Sequence, residues 1–351
     1  MASKLNNIQG LRAYAAISVA YFHTGYLFPH IKAFGFYGVD VFFVISGFIM
    51  TGICTLRPQK FFLRRVIRIV PLYWAATLAI FALALARPTL LKATHPDVGQ
   101  LVKSLLFVPF MKQDGLLQPL LFVGWSLNYE MYFYILLALA LLFLSGRKAT
   151  IAVAALVAVV PWLLPQHSPN AVLTFYASSR PLEFAMGIGL YYAARAIPIT
   201  SARRLRWPLL GLSAFVVAEL VVYFSLPLPY FPADCIGFGV PAAVLVLTAA
   251  LMSKCGQDLR TGWIILLGDA SYAIYLLHPY VLYFQERVLA RRWPLLSCEH
   301  SFFGMVLGVG LVCAISCVVY IYLEKPLVDW LAARYARTPR PTKAFLSENP
   351  L

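Results

Sequence analysis

Apolar runs of about twenty residues recur along the chain, and the short segments between them hold most of its charge. Each run is long enough to cross the hydrocarbon core of a bilayer as a helix. The pattern predicts about ten spans, at residues 11–28, 36–56, 69–86, from Gly124 to the basic pair Arg147 and Lys148, then 151–164, 180–194, 207–226, 235–252, 263–283 and 302–323. Residues 101–110 are apolar but too short to cross. They hold Lys103 and end at Pro109, which predicts an interfacial or re-entrant helix on the outer side.

The basic residues orient these spans. The densest cluster, Arg57, Lys60, Arg64, Arg65 and Arg68, lies in the connector 57–71 and reads as cytoplasmic. That puts the turn at 29–35 outside. Further basic loops follow at Arg147 and Lys148, at Arg195, Arg203, Arg204 and Arg206, at Lys254 and Arg260, and in the tail at Arg334, Arg337, Arg340 and Lys343. The expectation is an all-α integral membrane protein with both termini cytoplasmic. It is read as a single membrane domain over 1–351, with a core at 7–329 and a basic tail at 330–351. Trp74, Trp125, Trp207 and Trp263 fall near predicted span ends, as interfacial anchors do.

Composition agrees. Of 351 residues 61% are hydrophobic and only 12% charged, which excludes a soluble globular domain. The net charge of +15 follows from the inner loops and does not call for nucleic acid as a partner. Six cysteines form no CxxC pair, so neither a metal site nor a disulfide framework is expected. The segment after Lys4 lacks a small-residue cleavage site and leads straight into the first span, so no signal peptide is expected.

The candidate chemistry lies where charge enters the spans. An ionisable side chain at membrane depth is costly and marks a pathway or a site. Arg12 and His23 are eleven residues apart, so on a helix they share a face about 16 Å apart. Asp40, on the returning helix, is expected at the depth of His23, roughly 9 Å below the surface. Glu130 is expected at a similar level. Arg180 and Glu183 stand at i and i+3, where they can pair. His278 falls in the outer third of the ninth span, with Asp269, Ser271 and Tyr275 before it and Pro279 after it.

An imidazole beside a carboxylate suits proton abstraction from a hydroxyl near neutral pH. His23 with Asp40 or Glu130 fits that description. The inner arginines Arg12, Arg64, Arg65 and Arg68 suit phosphate binding. Structural readings stand beside these. His23 and His278 can bond neighbouring helices, Asp40 can serve a helix N-terminus, Glu130 can partner Arg180, and Arg64 to Arg68 can act as a topology signal alone.

Five stretches carry a resemblance: QGLRAYAAISVAYFH at 9–23, GVDVFFVISGF at 38–48, FFLRRVIRIVPLYW at 61–74, WSLNYEMYFY at 125–134 and SYAIYLLHP at 271–279. In this order they resemble the acyltransferase-3 family of integral-membrane acyltransferases. The resemblance implies transfer of an acyl group, most often acetyl, from cytoplasmic acyl-CoA to a carbohydrate hydroxyl at the outer face. The family's Arg-X10-His pair falls on Arg12 and His23, its basic third-helix motif on Arg64, Arg65 and Arg68, and its motif glutamate on Glu130.

On that footing His23, Asp40 and Glu130 are the expected catalytic residues. The four arginines would hold acyl-CoA, and Trp125, Arg180, Glu183, Tyr275 and His278 would hold the acceptor. The chain resembles the stand-alone, exopolysaccharide-acetylating branch of the family. Acetyl-CoA as co-substrate, no metal, a saccharide acceptor, polysaccharide-biosynthesis machinery as a further partner and a bacterial inner membrane are expected with it. The rival expectation is a transporter or flippase for a lipid-linked sugar, in which the same polar layer binds without chemistry.

Overall fold

The computed structural model describes residues 5–25, 37–86, 97–112, 115–165, 168–225 and 235–336. The predicted turn at 29–35 lies outside the described residues, as do Arg337, Arg340 and Lys343. Among the described residues the regular structure is helical, with one isolated bridge between Met111 and Leu117. The helices are α1 (Asn6–Phe22), α2 (Gly38–Leu56), α3 (Phe61–Ala86), α4 (Val98–Leu105), α5 (Trp125–Phe143), α6 (Gly146–Leu163), α7 (Ala171–Tyr176) and α8 (Pro181–Ala196). They continue as α9 (Ile199–Ser225), α10 (Val240–Lys254), α11 (Gly262–Asp269), α12 (Ser271–Phe284), α13 (Ala290–Arg292), α14 (Phe302–Val319) and α15 (Lys325–Tyr335). Single π-helical turns at Cys235–Gly239, Gln285–Leu289 and Tyr320–Glu324 join α10, α12 and α14 to their neighbours.

Six of these helical stretches are long and apolar enough to cross a membrane, and seven if α11 and α12 form one broken span. At 17 and 16 residues, α1 and α8 extend only about 25 Å, short of a hydrocarbon core of about 30 Å.

Three predicted boundaries change. The basic connector is helical from Phe61, so Arg64, Arg65 and Arg68 stand on the first two turns of α3. The ninth span is broken at Ala270, where α11 and α12 meet at 72°. The last span does not stop at Leu323. The π turn absorbs the missing amide of Pro326, and the helix runs on to Tyr335.

The chain divides into two compact units. One comprises the residues up to Gly52 and from Met186 to Lys325. Its centre is α1, packed by α10, α11, α12 and α14. The buried face of α1 is built from small side chains, Ala13, Ala15, Ala16, Ser18 and Ala20, which let neighbouring backbones come close. Two glycines use that space. Gly268 lies on the carbonyl of Gln9, and Gly38, at the start of α2, lies on the carbonyl of Ala15. Between α2 and α8 the rings of Phe48 and Tyr191, both fully buried, meet edge to face at 5.6 Å.

The second unit comprises, among the described residues, 53–185 and 326–336. Here α5 packs on α6 and α3. α4 is fastened to α3 by the Tyr73 hydroxyl, which donates to the Ser104 carbonyl at 3.1 Å, and by the Trp74 indole, which donates to the Leu105 carbonyl at 2.9 Å. Its other side exposes Val98, Val102 and Leu106 at i, i+4 and i+8, an apolar stripe along one face. α7 is pinned by Tyr129, whose ring stacks on Phe175 at 4.2 Å and whose hydroxyl donates to the Phe175 carbonyl at 2.6 Å.

Candidate active site

α1 ends at His23 because Gly25 takes the left-handed conformation, with φ at +73°, and Thr24 turns back to donate to the Tyr21 carbonyl. His23 is thus the C-cap of the helix. Its Nδ1 lies 2.9 Å from the carbonyl oxygen of Val19. A carbonyl only accepts, so this contact places the proton on Nδ1 and the basic lone pair on Nε2. That is the tautomer a general base needs.

The ring that meets His23 is His278. The two centroids are 4.7 Å apart, with the planes inclined at 51°. α12 carries His278 along α1, fully buried, with its Nδ1 at 3.3 Å from the Ile274 carbonyl. Pro279 has no amide hydrogen to give the Tyr275 carbonyl, so the α12 ladder is interrupted beside His278. Tyr275 stands at 5.9 Å from His278 and 6.1 Å from Phe42 of α2, and Phe22 presents an edge to His23 at 4.9 Å. One histidine, one tyrosine and two phenylalanines therefore surround the His23 level in this unit.

Asp40 is fully buried in the first turn of α2. The seat of Gly38 on Ala15, with Val19 also against it, sets the start of α2 one to two turns before His23 along α1. Asp40 belongs to that level, and the ring contacts of His23 are with Phe22 and His278. Arg12 stands near the opposite end of α1, and its Nη1 donates to Gln9 Oε1 at 3.3 Å. Because α1 is continuous from Asn6 to Phe22, the Arg12–His23 separation of about 16 Å follows from the helical rise.

Beyond His278, α12 passes into the π turn that holds Gln285 and Glu286. The Gln285 amide donates to the carbonyls of Leu296 at 2.8 Å and Gly304 at 2.7 Å. The Glu286 carboxylate accepts from the Ser297 hydroxyl at 3.0 Å, the Cys298 amide at 2.9 Å and the Cys298 thiol at 3.3 Å. This clasp holds the loop between α13 and α14 in place. Glu299 of that loop reaches Gly25, two residues past His23.

In the second unit, Arg64, Arg65 and Arg68 are half-buried on the opening turns of α3. Arg64 Nη2 donates to the Arg57 carbonyl, closing the connector onto the helix. Among the described residues, the buried Nε of Arg64 and that of Arg65 have no hydrogen-bond acceptor. Each of these two side chains therefore keeps a guanidinium donor unused.

The Glu130 carboxylate accepts the hydroxyl of Tyr134, one turn on in α5. The Arg180 guanidinium lies over the Trp125 ring at 4.8 Å. Glu183 is fully buried in the first turn of α8, its amide donating to the Arg180 carbonyl at 3.1 Å. The structure thus brings together His23, His278 and Tyr275 in one unit, and Trp125 and Arg180 in the other.

Sequence reasoning singled out His278 by depth and did not pair it with His23. The Glu286 clasp was not singled out at all, because a Glu in a loop-edge helix carries no distinguishing pattern.

Comparison with known proteins agrees with the five motifs. A family model described as an acyltransferase domain matches residues 5–321. The exopolysaccharide production protein ExoZ of Rhizobium meliloti is 33% identical over 88% of this chain and 94% of its own length. The acyltransferase MdmB of Streptomyces mycarofaciens is 28% identical over 94% of this chain and 93% of its own. The peptidoglycan O-acetyltransferase OatA of Listeria monocytogenes is 32% identical over 40% of this chain and 25% of its own. No solved structure matches the chain. The family match spans both units and includes every candidate residue named above, and the chain belongs to the acyltransferase-3 family of multi-pass membrane proteins.

Proposed function

We propose that the protein is a membrane O-acyltransferase that moves an acetyl group from cytoplasmic acetyl-CoA to a hydroxyl of an exopolysaccharide or lipid-linked sugar at the outer face. The observation that carries this reading is the tautomer of His23. Its Nδ1 is committed to the Val19 carbonyl, so its Nε2 is basic. Arg65, with Arg64, Arg68 and Arg12, holds the phosphates of the donor, whose oxygens would satisfy the Nε groups of Arg64 and Arg65. The donor supplies a thioester.

His23 takes the proton of the acceptor hydroxyl as its oxygen attacks the thioester carbonyl. The carbon–sulfur bond breaks, and the departing thiolate takes that proton to become free CoA. Asp40 and Glu130 supply negative charge to the polar layer while the imidazolium exists. Trp125 and Arg180 form a flat cationic face suited to a saccharide; Glu183 and Tyr275 are assigned to acceptor binding by the family resemblance alone.

The topology that goes with this reading is the ten-span chain with both ends in the cytoplasm, a single catalytic membrane domain in a bacterial inner membrane, working beside polysaccharide-biosynthesis machinery. The name of ExoZ supports exopolysaccharide as the acceptor class. The test is release of free thiol from acetyl-CoA by membrane vesicles, together with mass spectrometry of surface glycan from cells with and without the gene. Thiol release and glycan acetate that both disappear in His23→Ala are the expected result. Vesicles that move lipid-linked sugar without releasing thiol would replace this reading with transport.

A further inference from the structure

We propose that His278 is the proton-sharing partner of His23: the two imidazoles hold one proton between them during transfer, so that His278 spreads the charge His23 acquires. The inference rests on the acyl-transfer reading above and adds a role for a residue that motif spacing placed only among acceptor contacts.

Three observations carry it. His278 is fully buried, and its Nε2, itself sealed from solvent, has no hydrogen-bond partner among the described residues. A buried acceptor left without a donor is rare and calls for a reason. Next, both rings use Nδ1 in the same way, each against the carbonyl one turn before it, Val19 for His23 and Ile274 for His278. Both protons are thereby placed on Nδ1 and both lone pairs on Nε2. Last, the centroids lie 4.7 Å apart. Two imidazole edges joined through one proton need about 5 Å between centroids, so the rings already have the required separation and the remaining step is a rotation that brings the Nε2 edges together.

In the neutral pair each Nε2 is an acceptor, and neither ring has a hydrogen to offer the other. One added proton converts that arrangement into a charge-assisted N–H···N contact. The proton comes from the acceptor hydroxyl as its oxygen bonds to the acyl carbon, and it leaves on the sulfur of CoA as the thioester bond breaks. Nothing else is gained or lost.

The other titratable groups on α12 and the elements packed against it are Tyr272, Tyr275, Tyr280 and Tyr283 of α12, Arg12, Tyr14 and Tyr21 of α1, Asp269 of α11, Glu286 and Arg287 of the π turn, and Cys313 and Cys317 of α14, with Asp40 near Phe42 on α2 and Cys298 in the loop before α14. Among the described residues, the rings in contact with His278 are those of His23 and Tyr275.

The experiment measures thiol release from acetyl-CoA by vesicles carrying the full chain, from about pH 5 to about pH 9, for wild type, His278→Phe and His278→Gln, with thermal melting to confirm folding. Expected is a kcat about tenfold or more lower in His278→Phe, a KM for acetyl-CoA within about twofold of wild type, and an acidic limb of the pH profile displaced from its wild-type position. His278→Gln, whose amide oxygen still accepts a hydrogen bond, recovers part of the loss. A folded His278→Phe whose rate falls equally at every pH, or whose KM alone rises, or which matches wild type, overturns the proposal. His23→Ala separates the two levels. Full thiol release in that variant removes the acyl-transfer reading, whereas a dead His23→Ala beside wild-type His278 variants removes the proton-sharing role alone.

Discussion

Gly38 sits so close to Ala15 that a Cβ on the glycine would stand 2.5 Å from the Ala15 carbonyl oxygen and 2.8 Å from Val19 Cγ2. That contact sets how far along α1 the second helix begins, and with it the level of Asp40. Gly38→Ala must push α2 away from a backbone atom that cannot yield, so a loss of about 1–3 kcal/mol is expected. The check is thermal melting in detergent against Gly189→Ala. Gly189 has open space around it, and there the better helix former should be neutral or stabilising by up to about 1 kcal/mol.

The Glu286 clasp makes a prediction about Cys298. Burial first, and then the hydrogen bond and negative charge of Glu286, push the Cys298 thiol up to about 12 from an ordinary 9.0. At pH 8 only about one thiol in ten thousand is then the reactive thiolate. Maleimide labelling of Cys298 should be very slow in the wild type and rise at least tenfold in Glu286→Ala, where the loop loses its three donors' common acceptor. The sign of the pH effect follows. The folded state keeps the proton that the unfolded chain gives up above about 9, so the contribution of this thiol to stability is complete below that pH and is lost as pH rises toward about 12.

Arg65 offers the cleaner test of donor binding, because the Arg64 side chain also closes the connector through the Arg57 carbonyl. Arg65→Ala is expected to raise the KM for acetyl-CoA about tenfold with kcat little changed. Arg65→Lys should restore only part of it, since an ammonium cannot reproduce the guanidinium fork. Titration with acetyl-CoA and with dephosphorylated analogues reads the result. Equal affinity of wild type and variant for both would exclude a phosphate contact at this position.

Lys254 ends α10 and donates to three carbonyls at the end of α8, those of Ala194 at 2.8 Å, Arg195 at 3.2 Å and Ile197 at 2.6 Å. It is a side-chain cap for carbonyls that a helix end leaves without amide donors. Lys254→Met keeps the stem and removes the ammonium, and about 1–3 kcal/mol of stability should go with it. A melting temperature equal to wild type would show that water satisfies those carbonyls equally well.

The helical character of the chain and its multiple apolar spans are legible in hydropathy because the cost of placing each residue in lipid or water is a local quantity. The spacing of Arg12 and His23 is legible for the same kind of reason. It needs only that α1 be continuous, which it is from Asn6 to Phe22. The connector at 57–71 was harder to read, since arginines on a helix that begins before the bilayer look the same in sequence as arginines in a loop.

What the sequence determined by itself is that the chain is a series of apolar helices, and which few ionisable residues fall within them, because both follow from single-residue transfer costs and the helical period. What only the tertiary structure decided is which of those residues meet. His278 reaches His23 because Gly268 lets α11 lie on the α1 backbone, the chain bends at Ala270, and α12 then runs along α1. Asp40 takes its level from the seat of Gly38 on Ala15. In nearly uniform apolar helices many pairings bury the same surface. The choice among them is made by close packing at a few small residues, and no linear pattern records it.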